Sequence, residues 1–155
     1  MDLVIHYAKV EDVELLVSHR MLMWQDILDV PHDLAALPGT EERTRKWIKQ
    51  KLVEGKLIGF IAKTQEGQIA GSGCIWLREQ PPIPMISNLE VPYLMSMYTE
   101  EKFRRQGVAK LIVETAITWC KEHCYERINL DASAAGKGLY EKLGFKAGYS
   151  MRLLL

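Results

Sequence analysis

Arg104, Arg105, Gln106, Gly107, Val108 and Ala109 are the residues of this chain best suited to gripping a ligand. They follow an apolar run, Tyr93 to Tyr98, and open a helical stretch that reaches about His123. A strand thus feeds a basic turn, and the turn feeds a helix. A helix start carries unpaired backbone N–H groups and a partial positive charge, which together hold phosphate oxygens. Gly107 lacks a Cβ and Ala109 has the next smallest side chain, so a phosphate can approach the backbone closely. Arg104, Arg105 and Lys110 add charge-assisted donors. The pattern predicts a phosphate-bearing ligand.

Other chemistry-bearing residues are weaker candidates. Tyr140 can donate a proton, yet taken alone it also reads as an amphipathic residue closing a short helix. Cys120 and Cys124 flank His123, but a metal site needs four converging ligands and the sequence offers no such set. Cys74 has no neighbouring histidine to activate it as a nucleophile. The glycine pairs Gly71/Gly73 and Gly136/Gly138 lack the third glycine of a dinucleotide turn, and the first pair reads as a bulge or close packing within a strand. Trp24, Trp47, Trp76 and Trp119 read as core or loop anchors. The acidic residues Asp26, Asp29, Asp33, Glu41 and Glu42 read as a solvated face or as an attraction for a cationic amine.

The elements that must position these residues follow from periodicity and breakers. Leu3 to Tyr7 reads as a strand. Asp12 can cap a helix from Val13 to about Trp24, and Thr40 can cap a second that stops at Gly55. Lys56 to Lys63 and Gln68 to Arg78 read as strands joined by a hairpin turn at 64–67. Residues 79–92, with Pro81, Pro82, Pro84 and Pro92, read as a long loop. Strand 93–99, the basic turn and its helix come next. Arg127 to Asp131 alternates as a strand, with Ile128 and Leu130 on one side and Asn129 and Asp131 on the other. A short helix spans about Ala135 to Leu143, and strand-like pieces run from Phe145 to Leu155. This order predicts one α/β (α+β) domain over residues 1–155, with helices on both faces of a mixed sheet.

The length of 155 residues can bury a real core, and 48% apolar and 26% charged content is ordinary for a globular chain. A net charge of zero argues against nucleic acid or an acidic membrane as partner, because both require a sustained positive surface. Nothing approaches the roughly 18–20 apolar residues of a bilayer span, and the first residues do not resemble a signal peptide. Three cysteines do not suggest a disulfide framework, and the expectation is a reducing cytoplasm.

With these residues placed, the chain resembles the GNAT superfamily of N-acetyltransferases along nearly its whole length. Arg104, Gly107 and Ala109 match its (Arg/Gln)-x-x-Gly-x-(Gly/Ala) signature, with Thr99 where the family's preceding strand ends. Leu139-Tyr140-Glu141-Lys142-Leu143-Gly144-Phe145 matches its Leu-Tyr-x-x-x-Gly-Phe segment. Ile5, Ala8 and Asp12 match its opening, although His6 replaces an arginine. Ser133 stands where the family often has asparagine, and Gly136 where it often has alanine.

The resemblance implies a mostly antiparallel sheet with a splayed central strand pair, 93–99 beside 127–131. It implies acetyl-CoA as co-substrate, its pyrophosphate on Arg104, Arg105, Gln106, Gly107, Val108, Ala109 and Lys110. The pantetheine arm would pair with the backbone of Met97, Tyr98 and Thr99, with Ser133 contributing a hydrogen bond. Backbone N–H groups near Met97 would stabilise the developing oxyanion. Tyr140 would protonate the leaving thiolate, a mildly uphill transfer from a phenol near ~10 to a thiol near ~8.5. Glu90, Glu79, His32 and Asp33 lie in loops that could border the acceptor, and water alone could carry the amine's proton. The implied activity is acetyl transfer to a small-molecule or peptide amine by direct attack in a ternary complex, and the family often forms homodimers. The competing expectation is a non-catalytic acyl-CoA-binding sensor or interaction module.

Overall fold

The computed structural model describes residues 2–28 and 38–155. Among these residues five strands form one sheet in the order β1-β2-β3-β4-β5. They are β1 (Leu3–Tyr7), β2 (Leu57–Thr64), β3 (Ile69–Glu79), β4 (Glu90–Thr99) and β5 (Asn129–Leu130). The first four pair antiparallel, and β5 runs parallel to β4. The helices are α1 (Val13–Leu28), α2 (Thr40–Val53), α3 (Val108–Glu122) and α4 (Lys137–Lys142). None of the described helices is long and apolar enough to cross a membrane.

Strands β2 and β3 are apolar almost throughout because both of their faces are covered. On one face Val108, Ile112, Val113, Ala116 and Cys120, at helical spacing along α3, close over Phe60, Ala62, Ile75 and Leu94. On the other, Leu16, Val17 and Met21 of α1 and Ile48 of α2 cover Leu57, Ile61 and Cys74. The predicted mixed sheet with helices on both faces is the observed one.

Several local readings differ. Helix α1 runs to Leu28, since no glycine or proline interrupts it after Trp24. Asp12 does not cap α1; its carboxylate accepts the Lys9 N–H at 2.7 Å across a 3₁₀ turn. Gly39, at φ +82°, rather than Thr40, precedes α2. Strand β4 begins at Glu90 and includes buried Pro92 opposite Leu77. Leu77 donates its N–H to Lys56 of the chain entering β2, so the Leu77–Pro92 pair needs no ladder bond. The missing Pro92 N–H therefore faces the β5 side, where pairing starts only at Tyr93. The expected strand from Phe145 to Leu155 is not formed, and Met151, Leu153, Leu154 and Leu155 lie exposed.

Candidate functional site

The basic turn sits between two buried anchors. Phe103 and Val108 are in the core, while Arg104 to Gly107 are exposed between them. Gly107 precedes α3 at φ +83° and Arg105 holds φ +61°, so the backbone reverses tightly here. A Cβ at Gly107 would meet nothing within 4 Å, which leaves the approach open. The backbone N–H groups from Arg105 to Lys110 find no acceptor among the described residues. The first turn of α3 carries no acidic residue. This is an anion cradle in the physical sense.

The side chains divide the work. Arg104 does not reach outward: it donates to the Thr99 carbonyl at 3.1 Å and to Asp26 of α1 at 2.7 Å, with its guanidinium over the Tyr98 ring. It braces the turn against β4 and α1. Gln106 donates to the Lys102 carbonyl at 3.0 Å and braces the turn from within. Arg105 and Lys110 stay exposed, and Lys110 only approaches Glu114 at 3.9 Å.

Upstream of the turn, β4 opens. Its register with β3 shifts between Ser72 and Cys74, which places a bulge at Ser96 and Met97 opposite Gly73. Ser96 takes φ +56°, uncommon for a residue with a side chain, and accepts a hydrogen bond from Arg20 of α1 at 2.8 Å. The glycines opposite have a steric reason. A Cβ on Gly73 would come within 2.3 Å of the Met97 sulfur, and one on Gly71 within 2.6 Å of the Tyr98 carbonyl oxygen. On the other edge β4 pairs with β5 only at Tyr93–Asn129 and Leu94–Leu130. Among the described residues pairing stops there, so the β4 edge from Met95 to Thr99 has no strand beside it on that side.

Tyr140 lies half-buried on α4, packed against the α3-side core and edge-on to Phe145 at 5.8 Å. Burial raises its phenol above the usual value. Ser133 begins the same unit: its hydroxyl accepts the Gly136 N–H at 3.1 Å. A Cβ on Gly136 would touch the Tyr140 ring at 3.0 Å, so the glycine lets this ring settle.

On the α1–α2 side, at the point where β4 and β5 diverge, lies a cavity of about 530 Å³. Trp24, Trp47, Trp76 and Tyr93 supply apolar walls, and Arg20, Arg43, Arg152 and Asp131 supply charge. The Tyr93 hydroxyl donates to the Asp131 carboxylate. Burial, followed by that carboxylate, pushes the Tyr93 phenol up to about 12, so it stays protonated near neutrality.

The model of the acetyltransferase (GNAT) family matches residues 22–145. The chain belongs to the GNAT acetyltransferase family. Among solved structures it is similar to a predicted acetyltransferase with acetyl-CoA from Clostridium acetobutylicum, at 25% identity over 99% of this chain and 96% of that one, with a TM-score of 0.87. It shares the fold of a GCN5-related N-acetyltransferase from Ralstonia eutropha JMP134, at 19% identity, 99% coverage of both chains and a TM-score of 0.89. It also shares the fold of AAC(6')-Iy in complex with the bisubstrate analogue CoA-S-monomethyl-acetylneamine, at 17% identity over 100% of this chain and 98% of that one, with a TM-score of 0.74.

As a GNAT protein, this chain takes acetyl-CoA as co-substrate. The open turn, its unpaired N–H groups and the two outward cations fit a diphosphate. The GNAT sequence pattern did not disclose Asp131, Tyr93 or Arg20 as cavity residues. The alternation of 127–131 did put Asp131 on the side opposite Ile128 and Leu130, which was the one available signal. Of the carboxylates considered earlier, Glu90 binds Lys56 at 2.6 Å and Glu79 faces it across the sheet. Neither lines the cavity, and His32 and Asp33 fall outside the described residues. Of the acidic residues, Asp26 pairs with Arg104 and Glu42 with Arg45, Glu41 is exposed, and Asp29 and Asp33 fall outside the described residues. Burial pushes the Cys74 and Cys120 thiols up to about 12, which rules against thiolate chemistry at either.

Proposed function

We propose that this chain is an N-acetyltransferase that moves the acetyl group of acetyl-CoA to a primary amine by direct attack in a ternary complex. The observation that carries this reading is the unpaired edge of β4 leading straight into a turn of unpaired N–H groups at the start of α3. Such an edge can pair with the amides of an extended arm as if adding a strand, while the turn holds the arm's diphosphate. Backbone N–H groups from Arg105 to Lys110, with Arg105 and Lys110 side chains, take the phosphates. Arg104 and Gln106 position the turn. Met97, Tyr98 and Thr99 offer backbone to the arm, and the Ser133 hydroxyl retains its own proton to donate to it.

In the reaction the amine nitrogen forms a bond to the acetyl carbon and the carbon–sulfur bond breaks. N–H groups beside the Ser96–Met97 bulge stabilise the negative charge that develops on the acetyl oxygen. The amine's proton leaves toward Asp131 or the cavity water, and the departing sulfur takes a hydrogen bond from Tyr140. Because burial raises the Tyr140 phenol, complete transfer of its proton to a thiolate is more uphill than for a free tyrosine. Tyr140 therefore acts chiefly as a hydrogen-bond donor, with the proton restored from solvent.

Release of free thiol from acetyl-CoA in the presence of an amine panel tests the proposal. The Tyr140→Phe variant should lower kcat by about tenfold to a hundredfold with an unchanged CoA dissociation constant, the size expected for losing one hydrogen bond of roughly 1.5–3 kcal/mol to a developing negative charge. Thermal stabilisation by CoA with no thiol release for any amine would establish a binding module instead. An unaltered kcat in the variant would remove Tyr140 from the mechanism.

A further inference from the structure

We infer that the acceptor is an amine that also carries an anion, a carboxylate or phosphate, on an apolar body. This rests on the acetyl-transfer reading above and assigns the substrate class of the same site. Among the described residues, the cavity beside the β4–β5 divergence is lined by three guanidinium groups, Arg20, Arg43 and Arg152, against one carboxylate, Asp131. They come from three separate parts of the chain: α1, α2 and the terminal segment. No carboxylate among the described residues forms an ion pair with any of the three. Arg20 is half-buried and, among the described residues, bonds only a neutral hydroxyl, that of Ser96. Arg43 makes one long contact with the Thr40 hydroxyl at 3.4 Å.

Guanidinium groups gathered in a partly desolvated cavity repel one another unless an anion joins them. Their planar forks match a carboxylate or phosphate in a bidentate manner. The same charges oppose an acceptor that is purely cationic. Asp131 sits at the strand divergence, on the side where acetyl transfer would occur, and suits the ammonium end. The arginines then suit the other end, and the tryptophans suit an apolar body between them. A cavity of about 530 Å³ has room for a molecule of amino-acid size and more.

The experiment compares L-phenylalanine with its methyl ester and with phenethylamine, and O-phosphoethanolamine with ethanolamine, as acceptors, with spermidine as the cationic control. We expect kcat/KM for an anionic member to exceed its neutral counterpart by tenfold or more. The first pair identifies a carboxylate, the second a phosphate. Arg43 is exposed on α2 and glutamine is a comparable helix former, so Arg43→Gln should fold. That variant should shrink the anionic preference at least severalfold. Equal or better turnover of the ester, the plain amines or spermidine would overturn the inference and leave acetyl transfer standing. If no amine is acetylated, calorimetry with CoA-saturated protein still decides the charge preference. N-acetyl-L-phenylalanine should bind more tightly than its methyl ester and N-acetyl-phosphoethanolamine more tightly than N-acetylethanolamine. Failure of both preferences overturns the inference, whereas their persistence without turnover would sink only the catalytic reading.

Discussion

His19 shows how much a single side chain can hold in place. Its ring is 1% exposed, with Nδ1 at 2.8 Å from the Ser72 hydroxyl and Nε2 at 2.9 Å from a Glu100 oxygen. An ionised carboxylate only accepts, so Nε2 carries the hydrogen and Nδ1 accepts from Ser72 when the ring is neutral. The ring also packs on Tyr98, which lies beneath the Arg104 guanidinium. The contact chain thus runs from α1 to the base of the anion cradle. Burial depresses the His19 pKa below its usual value, outweighing the opposing pull of Glu100. The unfolded chain therefore holds this proton up to about pH 6.5, whereas the folded chain gives it up at a lower pH. The unfolded state binds more protons in that window, so stability is full above about pH 6.5 and declines as pH falls through the depressed folded pKa. Melting temperature measured from pH 8 to pH 5 should show this decline in the wild type and a flatter profile in His19→Gln. Parallel profiles would assign the acid sensitivity to other groups. His19→Ala at neutral pH should lose about 2–4 kcal/mol in urea titrations, combining a cavity with unpartnered Ser72 and Glu100 groups.

The β3–β4–α3 unit places two glycines in contrasting roles, and their alanine variants separate stability from binding. At Gly71 an added Cβ meets the Tyr98 carbonyl oxygen at 2.6 Å and Val108 at 3.0 Å, so the strands must move apart. Gly71→Ala should cost about 2–3 kcal/mol by urea denaturation. At Gly107 an added Cβ meets nothing within 4 Å among the described residues beyond its chain neighbours, and the penalty comes from φ +83° alone, about 1–2 kcal/mol. Yet Gly107 borders the cradle, so Gly107→Ala should weaken CoA binding by tenfold or more in calorimetry, beyond its effect on stability. A Gly107→Ala protein with wild-type CoA affinity would place the diphosphate elsewhere. The same unit shows which features the sequence made legible. The turn could be read because its signals are local: a strand, a glycine, small neighbours and an amphipathic helix follow one another. The bulge support could not, because Arg20 lies 76 residues from Ser96 and His19 lies 81 from Glu100. The start of β4 was misplaced because proline reads as a breaker, while Pro92 occupies a backbone position that needs no donor. The terminal segment was misread as a strand because its apolar residues match the pattern, although nothing in the described fold pairs with it.

Across the whole molecule, a net charge of zero coexists with a cavity whose lining is locally cationic. Under the proposed reading, selection of an anionic acceptor comes from short-range contacts rather than from steering by the overall field. The terminal segment is a direct way to examine this division. Residues from 150 to 155 are exposed and form no hydrogen bond or ion pair among the described residues, yet Arg152 reaches the cavity wall. The sheet and both helical layers are complete without it. A chain ending at Tyr149 should thus keep its unfolding free energy within about 0.5 kcal/mol of the full chain, as for other surface changes. It should nevertheless show a KM for the preferred anionic amine about tenfold higher, because one charge-assisted hydrogen bond contributes roughly 1.5–3 kcal/mol and each 1.4 kcal/mol is tenfold. Its CoA affinity should not move, since the turn proposed to hold the diphosphate lies at the start of α3 and shares no residue with this segment. Urea titration, acceptor kinetics and CoA calorimetry on the same shortened protein separate the possibilities. A large loss of stability would mean that Leu153, Leu154 and Leu155 are packed in solution, against this fold or a second copy, and the latter would make the melting temperature depend on protein concentration. An unchanged acceptor KM would remove Arg152 from the anion site and leave Arg20 and Arg43 to form it.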